Sequence, residues 1–285
     1  MKWFVAGTAI LVGVGAAFAQ SASGGQADSV EKQLSELKWQ QPGSIGRVAD
    51  KAEFKVTTGY TFLGTGDTDK FLKINGNLPQ GNSYTVASTN ANWFGILNFS
   101  PEGYVKDDEK IDPDALLKVL KEGNVAGNEQ RRKQGFQALT LEGWYFPPRY
   151  DTQNKRLEWG TRLRSEQDQS TVVNVSTKIL GRSGYTSAIL VTSPETMDKD
   201  LVDFKNALKN FDYLSGEKYS EWTQGDKVAA YGLGALIVGG AAAVATKKGF
   251  WALIVGFLAA GWKLVAGIAV VALAGLGSIF KKKKT

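Results

Sequence analysis

The 285-residue chain has no cysteine and no histidine. The first absence excludes disulfides and thiol nucleophiles. The second excludes Ser-His-Asp and Cys-His catalysis, and together they remove the usual zinc ligand sets. An enzyme of this composition would have to work with carboxylates, lysine, tyrosine or serine. Charge is lacking from two stretches, one at each end. Trp3–Phe18 is apolar, follows Lys2, and runs into Ala17-Phe18-Ala19, a small-x-small site. That pattern predicts a secretory signal peptide over residues 1–19, cleaved after Ala19, and export to a bacterial periplasm, the alternative being an uncleaved N-terminal anchor.

The second uncharged stretch is Val228–Thr246, nineteen residues long. As a helix it would span about 28 Å, close to the ~30 Å hydrocarbon core of a bilayer. Lys247 and Lys248 interrupt, Gly249–Phe280 carries only Lys263, and Lys281–Lys284 follow within a basic tail, 281–285. A helical membrane anchor is expected over 228–280, with spans near 228–246 and 264–280 and an interfacial segment over Gly249–Trp262. A re-entrant segment is the competing arrangement. Ala235, Gly239 and Ala243 have the small-xxx-small spacing that lets helices approach closely in lipid. The expected localisation is the inner (cytoplasmic) membrane, with the lipid bilayer as one partner and the main domain on the periplasmic side.

A basic excess is lacking too, once the ends are set apart. The formal charge is +6, but Lys2 and seven tail lysines hold eight of the 34 basic residues. Residues 20–227 keep 26 basic against 28 acidic side chains, a net of −2. Such a domain has no electrostatic footprint for nucleic acid.

What the middle contains reads as one domain over 20–214, with a polar linker over 215–227. Val30, Leu34 and Leu37 have helical spacing. Ala52–Val56 alternates as a strand, Asp69–Ile74 reads as a short helix, and Trp93–Phe99 as a buried strand. Asp112 is a helix N-cap with Pro113 at the first helical position, Gly123-Asn124 marks the helix end, and Asn128–Gly135 starts another. Leu139–Trp144 and Arg156–Gly160 read as paired strands around an extended corner at Phe146–Asp151, because each proline disfavours helix. Strands over Thr171–Leu180 and Tyr185–Thr192, a helix from Pro194 to Asn210 and an edge strand at Phe211–Tyr213 complete the pattern. The fold class is α+β, a mostly antiparallel sheet with helices on one side.

Two groups are candidate sites. Trp144, Tyr145, Pro147, Pro148, Arg149, Tyr150, Asp151 and Trp159 form an aromatic-rich corner that suits sugar or peptide binding, or else fills the core of a hairpin. Asp107, Asp108, Glu109, Asp112 and Asp114 are numerous enough for acid/base glycoside hydrolysis or Ca²⁺, although a solvated turn and a helix cap account for all five. The run lacks the ending of an EF-hand loop, and no cofactor is indicated. Arg182, flanked by Gly181 and Gly184 in a hairpin, is expected to meet one of these carboxylates.

Several stretches, taken in order, resemble one family. They are Trp93-Phe94 with Gly103–Asp108, Asn128 with Arg131, and Gly143-Trp144 with Pro147-Pro148 and Tyr150-Asp151. Leu157-x-Trp159, Ile179-Leu180-Gly181-Arg182-x-Gly184 and Gly225-Asp226-Lys227-x-Ala229-Ala230-Tyr231-Gly232-Leu233 complete the set. Together they resemble the bacterial membrane-anchored family known as domain of unknown function 2167. The resemblance implies a signal peptide, an exported domain and a C-terminal anchor, and no activity. The expected role is therefore a non-catalytic binding or scaffolding module, for another envelope membrane protein or a cell-wall component. The alternative is a carboxylate-based envelope hydrolase acting on glycan.

Overall fold

The computed structural model describes residues 32–75, 79–133 and 138–238. The expected signal peptide, the leader, the second span and the basic tail lie outside the described residues. Strands β1 (Ile45–Val48), β2 (Ala52–Lys55) and β10 (Phe211–Tyr213) form a small sheet in the order β1-β2-β10. The other seven form a large sheet: β3 (Tyr60–Leu63), β4 (Ser83–Ser88), β5 (Phe94–Ser100), β6 (Leu139–Asp151), β7 (Arg156–Ser165), β8 (Thr171–Leu180) and β9 (Tyr185–Val191). Its order is β3-β4-β5-β9-β8-β7-β6, with every neighbouring pair antiparallel. The class is α+β, mostly antiparallel, as expected, but with two sheets.

Helices do not keep to one side. Helix α1 is Thr65–Ile74, α2 Pro113–Lys133, α3 Met197–Ala207 and α4 Leu233–Val238. Successive side chains of a strand point to opposite faces, and β7 separates the helices by this rule. Its Leu157 and Trp159 pack with Leu116 and Leu120 of α2 and Leu233 and Leu236 of α4. Glu158, between them, takes an ion pair from Lys205 of α3 on the other face. We call the α3 side face A and the opposite side face B. Face A holds the main core, where Phe54 of β2, Phe211 and Tyr213 of β10, and Phe204 and Leu208 from the α3 region meet Leu97, Val175 and Leu190 of the large sheet. Gly95 of β5 admits Phe204 there, since a Cβ would lie 2.5 Å from its ring. On face B, Phe71 of α1 packs edge-on to Phe94, 4.8 Å between centroids.

Helix α2 starts as expected, Asp112 Oδ1 accepting the Ala115 N–H at 3.1 Å. It then runs on as one helix of 21 residues through Gly123 and Gly127, where the sequence pattern predicts a break and a second helix. The reason is tertiary. Asn124 and Asn128, one turn apart, lie along the free edge of β6. Asn128 accepts the Leu139 N–H at 2.9 Å and donates to its carbonyl at 3.0 Å, and Asn124 accepts the Leu141 N–H at 3.0 Å. The helix continues because its side chains take the place of a neighbouring strand.

The linker also departs from expectation. Residues 215–227 are fixed against the domain: Tyr219 is buried and its hydroxyl donates to the Val105 carbonyl at 2.8 Å. Tyr104 stacks on the Tyr219 ring at 4.4 Å and pairs in parallel with Val228. Gly103, at φ 98°, lies so close to the Lys227 carbonyl that a Cβ would approach within 2.6 Å. The expected span start at Val228 is thus non-helical backbone. Helix α4 begins at Leu233, with Leu233, Leu236 and Ile237 packed on Leu157, Trp159 and Leu180. Apolar residues that would suit lipid serve here as domain core. Among the described residues, no helix is long and apolar enough to cross a membrane.

Candidate functional site

The aromatic corner is a bulged strand rather than a corner. β6 carries 13 residues against 10 of β7, with register shifts between Leu141 and Gly143, Trp144 and Phe146, and Phe146 and Arg149. Each shift adds one unpaired residue and re-aims the side chains around it. Prolines are tolerated there because they fall at an edge strand and a bulge. The result divides the predicted group between the two faces.

Trp144, Tyr150 and Trp159 go to face B. Trp159 is buried, and the Trp144 Nε1–H donates to the Pro113 carbonyl at 3.2 Å. Asp107 reaches the same region: its Oδ2 accepts from the Tyr150 hydroxyl at 2.7 Å and from Lys155 Nζ at 2.8 Å. Burial alone would raise the Asp107 carboxyl. The hydrogen bonds from Lys155 and Tyr150, with the Lys155 charge, outweigh it and hold the group below the usual carboxylate range. Burial, then the bond to Asp107, pushes the Tyr150 hydroxyl far up. This is a locked arrangement, with Lys155 also 4.9 Å from the Tyr219 ring centroid. Glu109 turns elsewhere and accepts the Gly234 N–H of α4 at 3.1 Å, while Asp108 is exposed. Among the described residues no three acidic side chains converge as a metal site.

Asp151 and Arg182 hold backbone. Asp151 accepts the N–H groups of Gln153 and Asn154 at 2.9 and 3.0 Å, closing the β6–β7 turn in which Lys155 has a positive φ of 53°. Arg182 meets a carboxylate, but it is Asp226 rather than one of the 107–114 run. The contact is bidentate, Nε to Oδ2 at 2.7 Å and Nη2 to Oδ1 at 2.9 Å.

Tyr145, Phe146 and Arg149 go to face A and line a groove against α3, completed by Asp198, Leu201 and Lys205, with a volume of about 330 Å³. The Tyr145 hydroxyl donates to Asp198. That bond, then burial, raises its pKa, with the Asp198 charge adding to both. Arg149 and Lys205 stand 5.7 and 5.9 Å from the Phe146 ring, and Arg162 5.9 Å from the Tyr145 ring. Lys205 is paired with Glu158. Arg149 and Arg162 have no carboxylate partner among the described residues. The groove therefore presents two flat rings and the Arg149 guanidinium beside the Asp198 carboxylate, with Arg162 set against the Tyr145 ring, a surface for a ligand with both an apolar face and negative charge. Sequence reasoning found Tyr145 and Arg149 but not Asp198, Lys205 or Arg162. Nothing local in the helix or in β7 indicates that they face the hairpin.

The sequence profile of the family DUF2167, described as a protein of unknown function, matches residues 39–274. The chain belongs to this family. No curated protein matches this DUF2167 chain. It is similar to the solution structure of cyanobacterial PsbP (CyanoP) from Synechocystis sp. PCC 6803, at 12% identity over 60% of this chain and 94% of that one, with a TM-score of 0.35. So slight a likeness supports no transfer of function to the DUF2167 domain.

Proposed function

We propose that this chain is an exported, membrane-anchored protein of the bacterial envelope. Its α+β domain is a binding module that takes an anionic cell-wall component in the groove between the β6–β7 hairpin and α3. The signal-like residues 1–19 and the apolar sequence over 239–280, whose only charged residues are Lys247, Lys248 and Lys263, support export and anchoring. One observation carries the binding reading: Arg149 and Arg162, without carboxylate partners among the described residues, beside the rings of Tyr145 and Phe146. The hydrolase alternative gains no support from Asp107 and Glu109, which are engaged by Lys155 and Tyr150 and by the α4 backbone respectively.

The test has two parts. Fractionation with protease accessibility should place the domain on the periplasmic side of the inner membrane. The purified full chain should co-sediment with isolated cell-wall sacculi, and Arg149→Glu should reduce the bound fraction at least fivefold without lowering the melting temperature. Sedimentation unchanged by Arg149→Glu, or absent with wild type, would refute the groove as the site.

A further inference from the structure

Among the described residues, the large apolar side chains that stand exposed are Ile45, Val125, Val202, Trp222 and Val228. The first three stand singly on β1, α2 and α3. Trp222 and Val228 are joined through Tyr104, which pairs with Val228 and lies 5.1 Å from the Trp222 ring. Tyr104 is itself half-buried and stacked on Tyr219, so the Trp222 ring has a firm backing. This is a contiguous aromatic and apolar patch, which a scatter of single residues is not.

The patch lies at one end of the large sheet. β5 ends at Ser100 and β8 at Leu180, and β7 begins at Arg156. Segment 215–232 crosses these strand ends, bridging Gly181 with Lys218, Arg182 with Asp226 and Tyr104 with Val228. Helix α4 follows and packs on Leu157, Trp159 and Leu180, all within about 10 Å of the same strand ends. The apolar sequence over 239–280 starts directly after it. An anchor that begins there brings this end of the domain, and not the other, to the lipid. Lys106 and Lys227 are exposed at this end, Lys227 Nζ donating to the Pro101 carbonyl at 3.1 Å. Neither has a carboxylate partner among the described residues. Glu102 and Asp108 also stand exposed here, so the rings, more than net charge, distinguish the surface. The opposite end presents the turn over 166–170, which holds Glu166 and Asp168 and no aromatic residue.

Given the anchor suggested above, we propose that this end of the domain rests on the bilayer surface. Trp222 and Tyr104 sit among the phospholipid headgroups, and Lys106 and Lys227 reach the lipid phosphates. Tryptophan and tyrosine favour that depth because each joins an apolar ring to a polar tip. Lysines beside them are drawn to an anionic leaflet. The large sheet then stands off the membrane, with the turn over 166–170 held about 30 Å away by the length of β7. The surface is separate from the Tyr145 groove and makes no demand on its ligand.

The chain has no cysteine, so a single introduced one takes a label without competition. Gln224→Cys, beside the patch, and Gln167→Cys, on the far turn, are exposed positions that leave the rings in place. Each carries an environment-sensitive fluorophore on the full chain, reconstituted into vesicles of phosphatidylethanolamine and phosphatidylglycerol. Lipid spin-labelled near the headgroup should quench emission from position 224 at least threefold more than from position 167. Trp222→Ser combined with Val228→Ser should remove most of that difference. Lys106→Glu combined with Lys227→Glu should reduce it, as should high salt. Equal or reversed quenching at the two positions, in chains that float with the vesicles, would overturn the proposed orientation and leave the anchor intact. Chains that fail to float would overturn the anchor, and the orientation with it.

Discussion

At the scale of single residues, ionisable groups at the surface fasten turns, while the half-buried Lys178 has no carboxylate partner among the described residues. Asp151 is the simplest case. Hydrogen bonds from the Asn154 side chain and backbone lower its pKa. Its stabilising contribution is therefore complete above the ordinary carboxylate value of about 3.9 and fades as pH falls through the lower folded value. Asp151→Ala should cost about 1 kcal/mol at pH 7 in urea titrations, with the difference from wild type closing as pH drops towards 2. Lys178 has the opposite sign. Its folded pKa of about 8 lies below that of a free lysine, so between those values the unfolded chain holds more protons and stability rises with pH. Urea midpoints should climb from pH 8 to 9.5, and Lys178→Met should flatten that climb.

At the scale of elements, strands were more legible than their assembly. Thr171–Leu180 appears in the structure with the bounds the alternation predicts, because both of its faces are packed and its branched residues favour a pleat. β1, β3 and β4 escaped notice; the sequences of β1 (IGRV) and β3 (YTFL) do not alternate apolar with polar residues as that of β2 does. The corner at Pro147-Pro148 was read from backbone preference alone, and bulging let the strand continue through it. Helix α2 shows why a glycine signal can fail, since cross-element bonds from Asn124 and Asn128 outweigh the intrinsic cost of Gly123 and Gly127. Asn128 is buried and satisfies both backbone groups of Leu139. Asn128→Ala should accordingly cost about 2 kcal/mol, because the Leu139 N–H at the sheet edge loses its side-chain acceptor while the Leu139 carbonyl keeps Asn124 at 2.8 Å. A change below about 0.5 kcal/mol would show that water replaces the amide. In the candidate site, the sequence located the hairpin residues through their aromatic density. It could not assign them to faces, since three inserted residues decide that.

At the scale of the whole molecule, the domain boundary lies later than composition suggests. Polar residues over 215–227 resemble a linker, yet Tyr219, Asp226 and then α4 complete face B. A chain ending at Leu214 should expose Leu157, Trp159 and Leu180, bind a hydrophobic dye and aggregate, and one ending at Asp226 should still lack α4. A chain ending at Val238 should melt cooperatively at a higher temperature than either; equal melting temperatures for all three would show that α4 contributes nothing to the fold. The way residues 215–238 are attached also has a mechanical meaning. Among the described residues, a pull from the C-terminal side reaches the large sheet through α4, the Tyr104–Val228 pairing and the Arg182–Asp226 clasp, which stand in series. Tension therefore peels this strap before it loads a single strand of the sheet, and the first surface it uncovers is the one around Trp159.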